Sequence, residues 1–308
     1  MLTPRDAWRL LRQTYNDWVE DKAPELGAAL AFYTALSMAP LLVLTLAIVA
    51  YFFGEEAASG QLDQQVRGLV GEQGAQAVQD MIASTDKPAQ GAVAAALSFA
   101  TLLFGASGVF GQLQSALNTI WEVQPKPGRG VWGFIRDRFL SFTMVLGVAF
   151  LLLVSLFITT ALGSLSDLLP QLPASLEWIA QIVNFLVSFV VFVVLFAMMF
   201  KLLPDVKMAW SDVWLGAVVT AVLFVVGKLG IGLYLGHSSM ASSYGVAGSF
   251  VVLLVWVFYS AQILFFGAEL TQVYANRYGS RIVPAENAEP VTEEARAQQG
   301  RTRSASVR

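Results

Sequence analysis

The sequence has no cysteine and a single histidine, His237. Without thiols there is no disulfide and no thiolate-bound zinc or iron–sulfur site. One imidazole excludes a histidine-rich metal centre, and no cofactor is expected. Charge is scarce as well: 13% of the 308 residues are charged, about half of the ~25% found in ordinary soluble domains. Apolar residues take their place, at 56% of the chain and a mean hydropathy of +0.60. These figures exclude a soluble globular enzyme, a disordered chain and a nucleic-acid binder. The net charge of −3 says little, because in a chain this apolar the placement of charge matters more than its sum.

A helix needs about 20 mostly apolar residues to cross a bilayer. Six stretches qualify: 26–53, 91–120, 139–165, 176–203, 209–236 and 245–275. The fold class is therefore all-α, a polytopic membrane protein with six transmembrane helices. The first stretch is too long, and begins too late, for a cleavable signal peptide. Six spans leave both termini on one side. Sixteen of the nineteen Lys and Arg residues fall on that side, in residues 1–25, 121–138, 201–208 and the tail. Only Arg67 and Lys87 fall opposite, and Lys228 is inside a span. This asymmetry places both termini in the cytoplasm.

Residues 1–22 read as an interfacial amphipathic helix. Trp8, Leu11, Tyr15, Trp18 and Val19 share one face, flanked by Arg5, Arg9 and Arg12 where lipid phosphates would sit. The same face could instead pack on the protein's own cytoplasmic ends. Residues 23–278 form the six-helix transmembrane domain. The extracytoplasmic loop 54–90 reads as two short helices. Residues 279–308 form a cytoplasmic tail, expected to be disordered because it is polar, charged and free of aromatics.

Polar residues at membrane depth cost energy and face the bundle interior. They fall into two layers. The outer layer holds Gln181, Asn184 and Ser188 on the fourth span and Lys228 on the fifth, with His237 at its end. The inner layer holds Glu269, with Gln262 and Tyr259 on its face, and Gln112, Gln114 and Asn118 on the second span. Lys228 and Glu269 differ in depth by about 20 Å at helical rise, so they are not expected to pair. Lys228 is expected near Asn184 or snorkelling to the outer headgroups. Glu269 is expected to be charged and held by Arg136, Arg138 or Lys201, each at a span end on its side. Gly232 and Gly236 have GxxxG spacing, compatible with a homo-oligomer. Pro40 should kink the first span. Pro204 ends the fourth, with Asp205 as a helix-cap candidate.

Four segments form an ordered set: AFYTALSMAPLL in the first span, LPDVKMAWSDVWLGAVV between the fourth and fifth, SSYGVAGSF opening the sixth and FFGAEL closing it. With six spans and this length, the chain resembles the YihY/BrkB family of bacterial inner-membrane proteins over residues 20–278. The motif positions are Tyr33, Ser37, Pro40, Pro204, Asp205, Gly216, Tyr244, Gly245, Gly248, Gly267 and Glu269. Family members often carry Pro-Asn where this chain has Pro204-Asp205. The resemblance implies an inner-membrane location and a role in virulence, serum resistance, or envelope lipid or ion handling. It also brings an old ribonuclease BN label. The residues speak against that label, since metal-dependent RNA cleavage needs clustered carboxylates or histidines and no aromatic–basic platform for RNA is present. No enzyme activity is expected. The reading is transport or lipid handling through polar layers between the helices, with membrane lipids as partners. The alternative is a non-transporting scaffold among other envelope proteins.

Overall fold

The computed structural model describes residues 3–37, 108–127, 177–237 and 248–301. The loop 54–90 and the third expected span lie outside these residues, as do most of the first two expected spans. Helix α1 runs Pro4–Glu20. Thr3 caps it, its side chain and that of Asp6 each bonding the other's backbone N–H, and Pro4 supplies a preset first turn. The chain turns at Lys22 into α2, which is helical over 23–37. Residues 108–120 form α3, followed by β1 (Val123–Pro125). Then come α4 (Glu177–Leu202), β2 (Val206–Lys207), α5 (Trp210–His237) and α6 (Gly248–Tyr278). The tail adds β3 (Val283–Pro284), β4 (Ala288–Pro290) and α7 (Glu293–Gln298).

The fold is mostly helical. Among the described residues, three helices contain stretches long and apolar enough to cross a membrane: Phe185–Leu202, Trp210–Ile231 and Phe250–Tyr278. They coincide with the fourth, fifth and sixth expected spans. Val190, Val222, Val226 and Leu229 are exposed on them, an outward apolar surface that suits lipid rather than water.

Close backbone approach joins α5 to α6. Thr220 Oγ1 donates to Gly216 O at 2.6 Å, and Thr271 Oγ1 donates to Gly267 O at 2.7 Å. A Cβ on Gly216 would stand 1.7 Å from Thr271 Oγ1, and one on Gly267 would stand 1.7 Å from Thr220 Oγ1. Each helix thus places a Gly and, four residues on, a Thr against the Thr and Gly of its antiparallel neighbour. Small residues let membrane helices meet in this way. α4 packs through aromatic side chains. Phe192 and Phe196 lie 5.2 and 5.7 Å from Phe224 of α5, and Phe224 lies 6.2 Å from Trp256 of α6. Gly267→Val should force the two backbones apart. Overpacking of this kind costs about 1–3 kcal/mol, which a lowered unfolding midpoint in detergent would report, whereas Val222→Ala on the exposed face should change little.

Residues 279–301 are ordered, contrary to the expectation of a disordered tail. Strand β4 pairs antiparallel with β1, matching Val123 with Pro290 and Pro125 with Ala288. Strand β3 pairs with β2, matching Val206 with Pro284 and Lys207 with Val283. Lys207 Nζ meets Glu286 Oε1 at 2.9 Å, and Arg296 meets Glu122 at 2.7 Å. The tail's order comes from backbone pairing, polar contacts, and Ala288 and Ile282 packed on the main core.

Asp205 connects the parts. It is buried, its carboxylate accepts from Asn118 Nδ2 at 2.9 Å and Asn287 Nδ2 at 2.8 Å, and its N–H donates to Asn118 Oδ1 at 2.7 Å. It is not the cap expected for the fifth span, because α5 begins only at Trp210. The acid in the first turn of α5 is Asp212, which accepts from Ser280 N and Oγ at 2.9 and 2.6 Å and so fastens the end of α6.

Candidate functional site

Helix α1 carries three faces. Leu10 is buried against Leu270 and Val273 of α6, Thr14 is buried beside it, and Trp18 packs on the main core. Trp8, Leu11, Tyr15 and Val19 form an exposed apolar stripe. The two alternatives for this helix thus divide its residues: Trp18 leaves the expected stripe and packs on the protein, and the other four stay outside. The third face, with Arg9, Arg12, Gln13, Asn16, Asp17 and Glu20, walls a polar pocket of about 400 Å³.

Asp21, Glu122, Glu269, Gln272, Val273, Asn276 and Arg296 complete the wall. Burial sets its polarity. Arg9, Arg12, Asn16 and Asn276 are exposed and form the mouth, whereas Asp21, Glu269 and Gln272 are buried and form the floor. Glu269 is 0% exposed. No amide, hydroxyl or cation among the described residues donates to its carboxylate oxygens; its hydrogen-bond partner is the Asp21 carboxyl, and Asp17 and Arg301 also act on it. No three acids among the described residues converge closely enough to hold a metal ion.

The salt bridges leave a pattern of unmatched charge. Arg296 engages Glu122. Arg301, 4% exposed, pairs with Asp21 and also donates to Thr119 O at 3.0 Å. Burial pushes the Asp21 carboxyl up to about 6, with the Arg301 guanidinium opposing it. Burial likewise pushes Asp17 up to about 6, helped by the negative charges of Asp21 and Glu20. Asp17, Glu20 and Glu269 are therefore acids without a cation at the base of the pocket, and one Glu20 oxygen is buried without a partner.

Of the three cations expected to hold Glu269, Lys201 is engaged elsewhere. Its amine donates to Met208 O and lies 6.0 Å from the Trp210 ring centroid. Arg136 and Arg138 lie outside the described residues, as do Pro40, Tyr244 and Gly245. The side chains of Gln181, Asn184 and His237 are outside as well, Ser188 is half-buried on α4, and Gly248 opens α6. Lys228 is exposed on α5, as a snorkelling lysine needs to be, and makes no bridge to Glu269. Gln262 and Tyr259 face different neighbours: a Cβ on Gly27 of α2 would meet Gln262 Nε2 at 2.1 Å, and one on Gly227 of α5 would meet Tyr259 Oη at 2.9 Å. Both amide atoms of Gln262 are buried without a partner. Tyr33 is exposed and Ser37 buried on the α2 face that meets Gly108. Pro204, next to Asp205, is buried in the turn after α4.

Sequence reasoning selected Glu269 but missed Asp17, Glu20, Asp21, Glu122, Arg296 and Arg301. The acids closing α1 were a local signal. Nothing local joins Asp21 to Arg301, 280 positions away.

The profile of the Virulence factor BrkB family matches residues 14–292, and the chain belongs to that family. A UPF0761 membrane protein of Rhodospirillum centenum is 27% identical over 86% of this chain and 57% of its own length. One of Verminephrobacter eiseniae is 27% identical over 87% of this chain and 62% of its own. One of Vibrio vulnificus is 29% identical over 84% of this chain and 79% of its own. The chain thus spans about three-fifths of the length of the first two. No solved structure matches it. It is a multi-pass membrane protein.

Proposed function

We propose that this BrkB-family chain is a six-span transport or lipid-handling protein of the bacterial inner membrane, with both termini cytoplasmic and the Glu269 pocket as its working site. The observation that carries the reading is the fully buried Glu269 carboxyl, facing another acid, Asp21, and in no salt bridge among the described residues, on the floor of an open polar pocket. A carboxyl serving only to clamp helices together would have a cation upon it, because an unpaired buried charge is costly. Gln262, unpartnered two turns further along α6, extends the polar seam toward the middle of the span. The topology rests on the basic asymmetry. It gains support from the end of the fold where Asp21, Thr119, β1, β2 and the tail meet, since these segments belong to the basic side. The exposed stripe of α1 suits the headgroup plane. The stitched tail favours the second reading, a scaffold that assembles with other envelope proteins.

Reconstituted vesicles separate the two. Wild-type protein should accelerate movement of a labelled phospholipid or a cationic solute across the bilayer, and Glu269→Gln should slow it at least tenfold. Wild-type vesicles no faster than empty ones for either cargo would overturn the transport reading.

A further inference from the structure

The outward faces of α1 are ordered. Leu10, packed against Leu270 and Val273, fixes which side meets α6. Next round the helix come Leu11, Tyr15, Trp8 and Val19, within about 80° of arc at 3.6 residues per turn. All four are exposed. Arg12, Arg5 and Arg9 fill the next ~60°, exposed and in no ion pair among the described residues. Asp6, the acid beside them in sequence, is engaged in the helix cap, where it accepts from Thr3 Oγ1 at 2.6 Å.

Helix α1 also lies across α6. Arg277 acts on Asp6 near one end, and Glu269 meets Asp21 at the other. That is about 22 Å along α1 but about 12 Å along α6, an oblique crossing that turns α1 toward the plane of a bilayer spanned by α6. Exposed aromatics mark the level of that plane. Trp210 and Trp214 open α5, Tyr278 closes α6, and Trp8 and Tyr15 lie on α1. Asp212, accepting from Ser280 N at 2.9 Å, holds the start of α5 beside the end of α6. Tryptophan and tyrosine gather at the membrane–water boundary, where ring and polar edge are both satisfied. Aromatics on three helices at one end of the bundle fit a bilayer leaflet better than a patch for a single protein partner. Arg277, exposed at the same end, extends the basic row. Guanidiniums at that level suit phosphates, which they bind in bidentate fashion.

We propose that α1 is a lipid-docking element that seats its apolar stripe in a leaflet of anionic phospholipid and binds the headgroup phosphates through Arg5, Arg9 and Arg12. Charge sets the choice of lipid. A zwitterionic headgroup brings its own ammonium against the guanidiniums, whereas an acidic one such as phosphatidylglycerol does not. The docking needs no passage through the bundle, so it stands or falls apart from the transport reading.

The chain lacks cysteine, so one introduced thiol reports one position. Leu11→Cys and, as a control in water, Glu294→Cys on α7 would each carry an environment-sensitive fluorophore on the full chain. In nanodiscs containing phosphatidylglycerol, the label at position 11 should be quenched by spin-labelled lipid and sheltered from iodide, and the label at position 294 should behave in the opposite way. In detergent, the label at position 11 should report binding of short-chain phosphatidylglycerol at least about tenfold tighter than phosphatidylcholine, since each arginine near anionic lipid is worth about fivefold. Arg5→Gln, Arg9→Gln and Arg12→Gln combined should remove most of that preference, and raised salt should do the same with the arginines in place. These side chains are exposed, so the triple variant should keep the unfolding midpoint of its parent. A label at position 11 open to iodide overturns the proposal. So does a label sheltered from both quenchers while unlabelled Leu11→Cys joins two copies by a disulfide, which would make the stripe a dimer contact. Equal affinity for the two lipids, or a preference that the triple variant retains, overturns it as well.

Discussion

Asp205→Ala should destabilise the fold by about 3–5 kcal/mol, since each hydrogen bond to a charged group contributes about 1.5–3 kcal/mol and the Asn118 donor left behind is buried. The carboxylate joins Asn118 of α3 to Asn287 of the tail, at 2.9 and 2.8 Å. Its own backbone is tied on both sides, with Asp205 N donating to Asn118 Oδ1 and Ala285 N donating to Asp205 O at 2.9 Å. Alanine keeps the backbone bonds, orphans the Asn118 and Asn287 amides and removes the longer contact from Gln114 Nε2 at 3.5 Å. Asp205→Asn should cost less than half as much, because Asn287 is half-buried and can turn its amide to offer an acceptor. Denaturation midpoints of the three proteins, with limited proteolysis of residues 279–301, check this. An alanine variant as stable and protease-resistant as wild type would mean that the tail does not dock through Asp205.

Arg301→Ala should cost about 3–5 kcal/mol near pH 8, the usual penalty for removing one partner of a buried pair, and much less near pH 5. The pair is enclosed, with side chains 5% and 10% exposed. The pH dependence follows from Asp21, whose carboxyl titrates at about 6 in the folded protein against an ordinary 3.8. A raised acid pKa means that the folded chain holds the proton more tightly than the unfolded one. The stability contributed by the neutral form is therefore largest at low pH and is lost as pH rises from about 4 through about 6. Above that range Asp21 is ionised and depends on Arg301. Below it Asp21 is neutral and the guanidinium is no longer needed for charge balance. Unfolding midpoints of wild type and Arg301→Ala from pH 5 to 8 should diverge as pH rises. Equal penalties at both ends would show that Arg301 acts through packing and its bond to Thr119 alone.

The sequence made the apolar framework readable because span length and all-round hydrophobicity need no tertiary context. The stretches 176–203, 209–236 and 245–275 anticipate α4, α5 and α6. Gly216 and Gly267 stood out as motif positions, but their reciprocal contact with Thr271 and Thr220 depends on register between two helices, which no single helix records. The tail misled for a physical reason. Composition reports whether a segment can bury apolar surface, whereas Ala288 and Val283 are held by strands borrowed from loops about 165 and 80 residues away. Glu269 could be chosen because an acid within a span is expensive. Its surroundings could not, because Asp17 and Asp21 arrive on α1 and Arg301 arrives on the tail.

The central claim is that Glu269, which has no cation paired with it among the described residues, is kept for use and does not clamp the bundle. Thermal unfolding of Glu269→Gln in detergent, with transport measured on the same preparation, tests this most directly. The account predicts an unfolding midpoint equal to or above that of wild type, because a buried carboxyl that faces Asp21 and no paired cation is replaced by a neutral amide of the same shape, together with lost transport. A midpoint lowered as far as that of Asp205→Ala would contradict it and would make Glu269 part of the structural network.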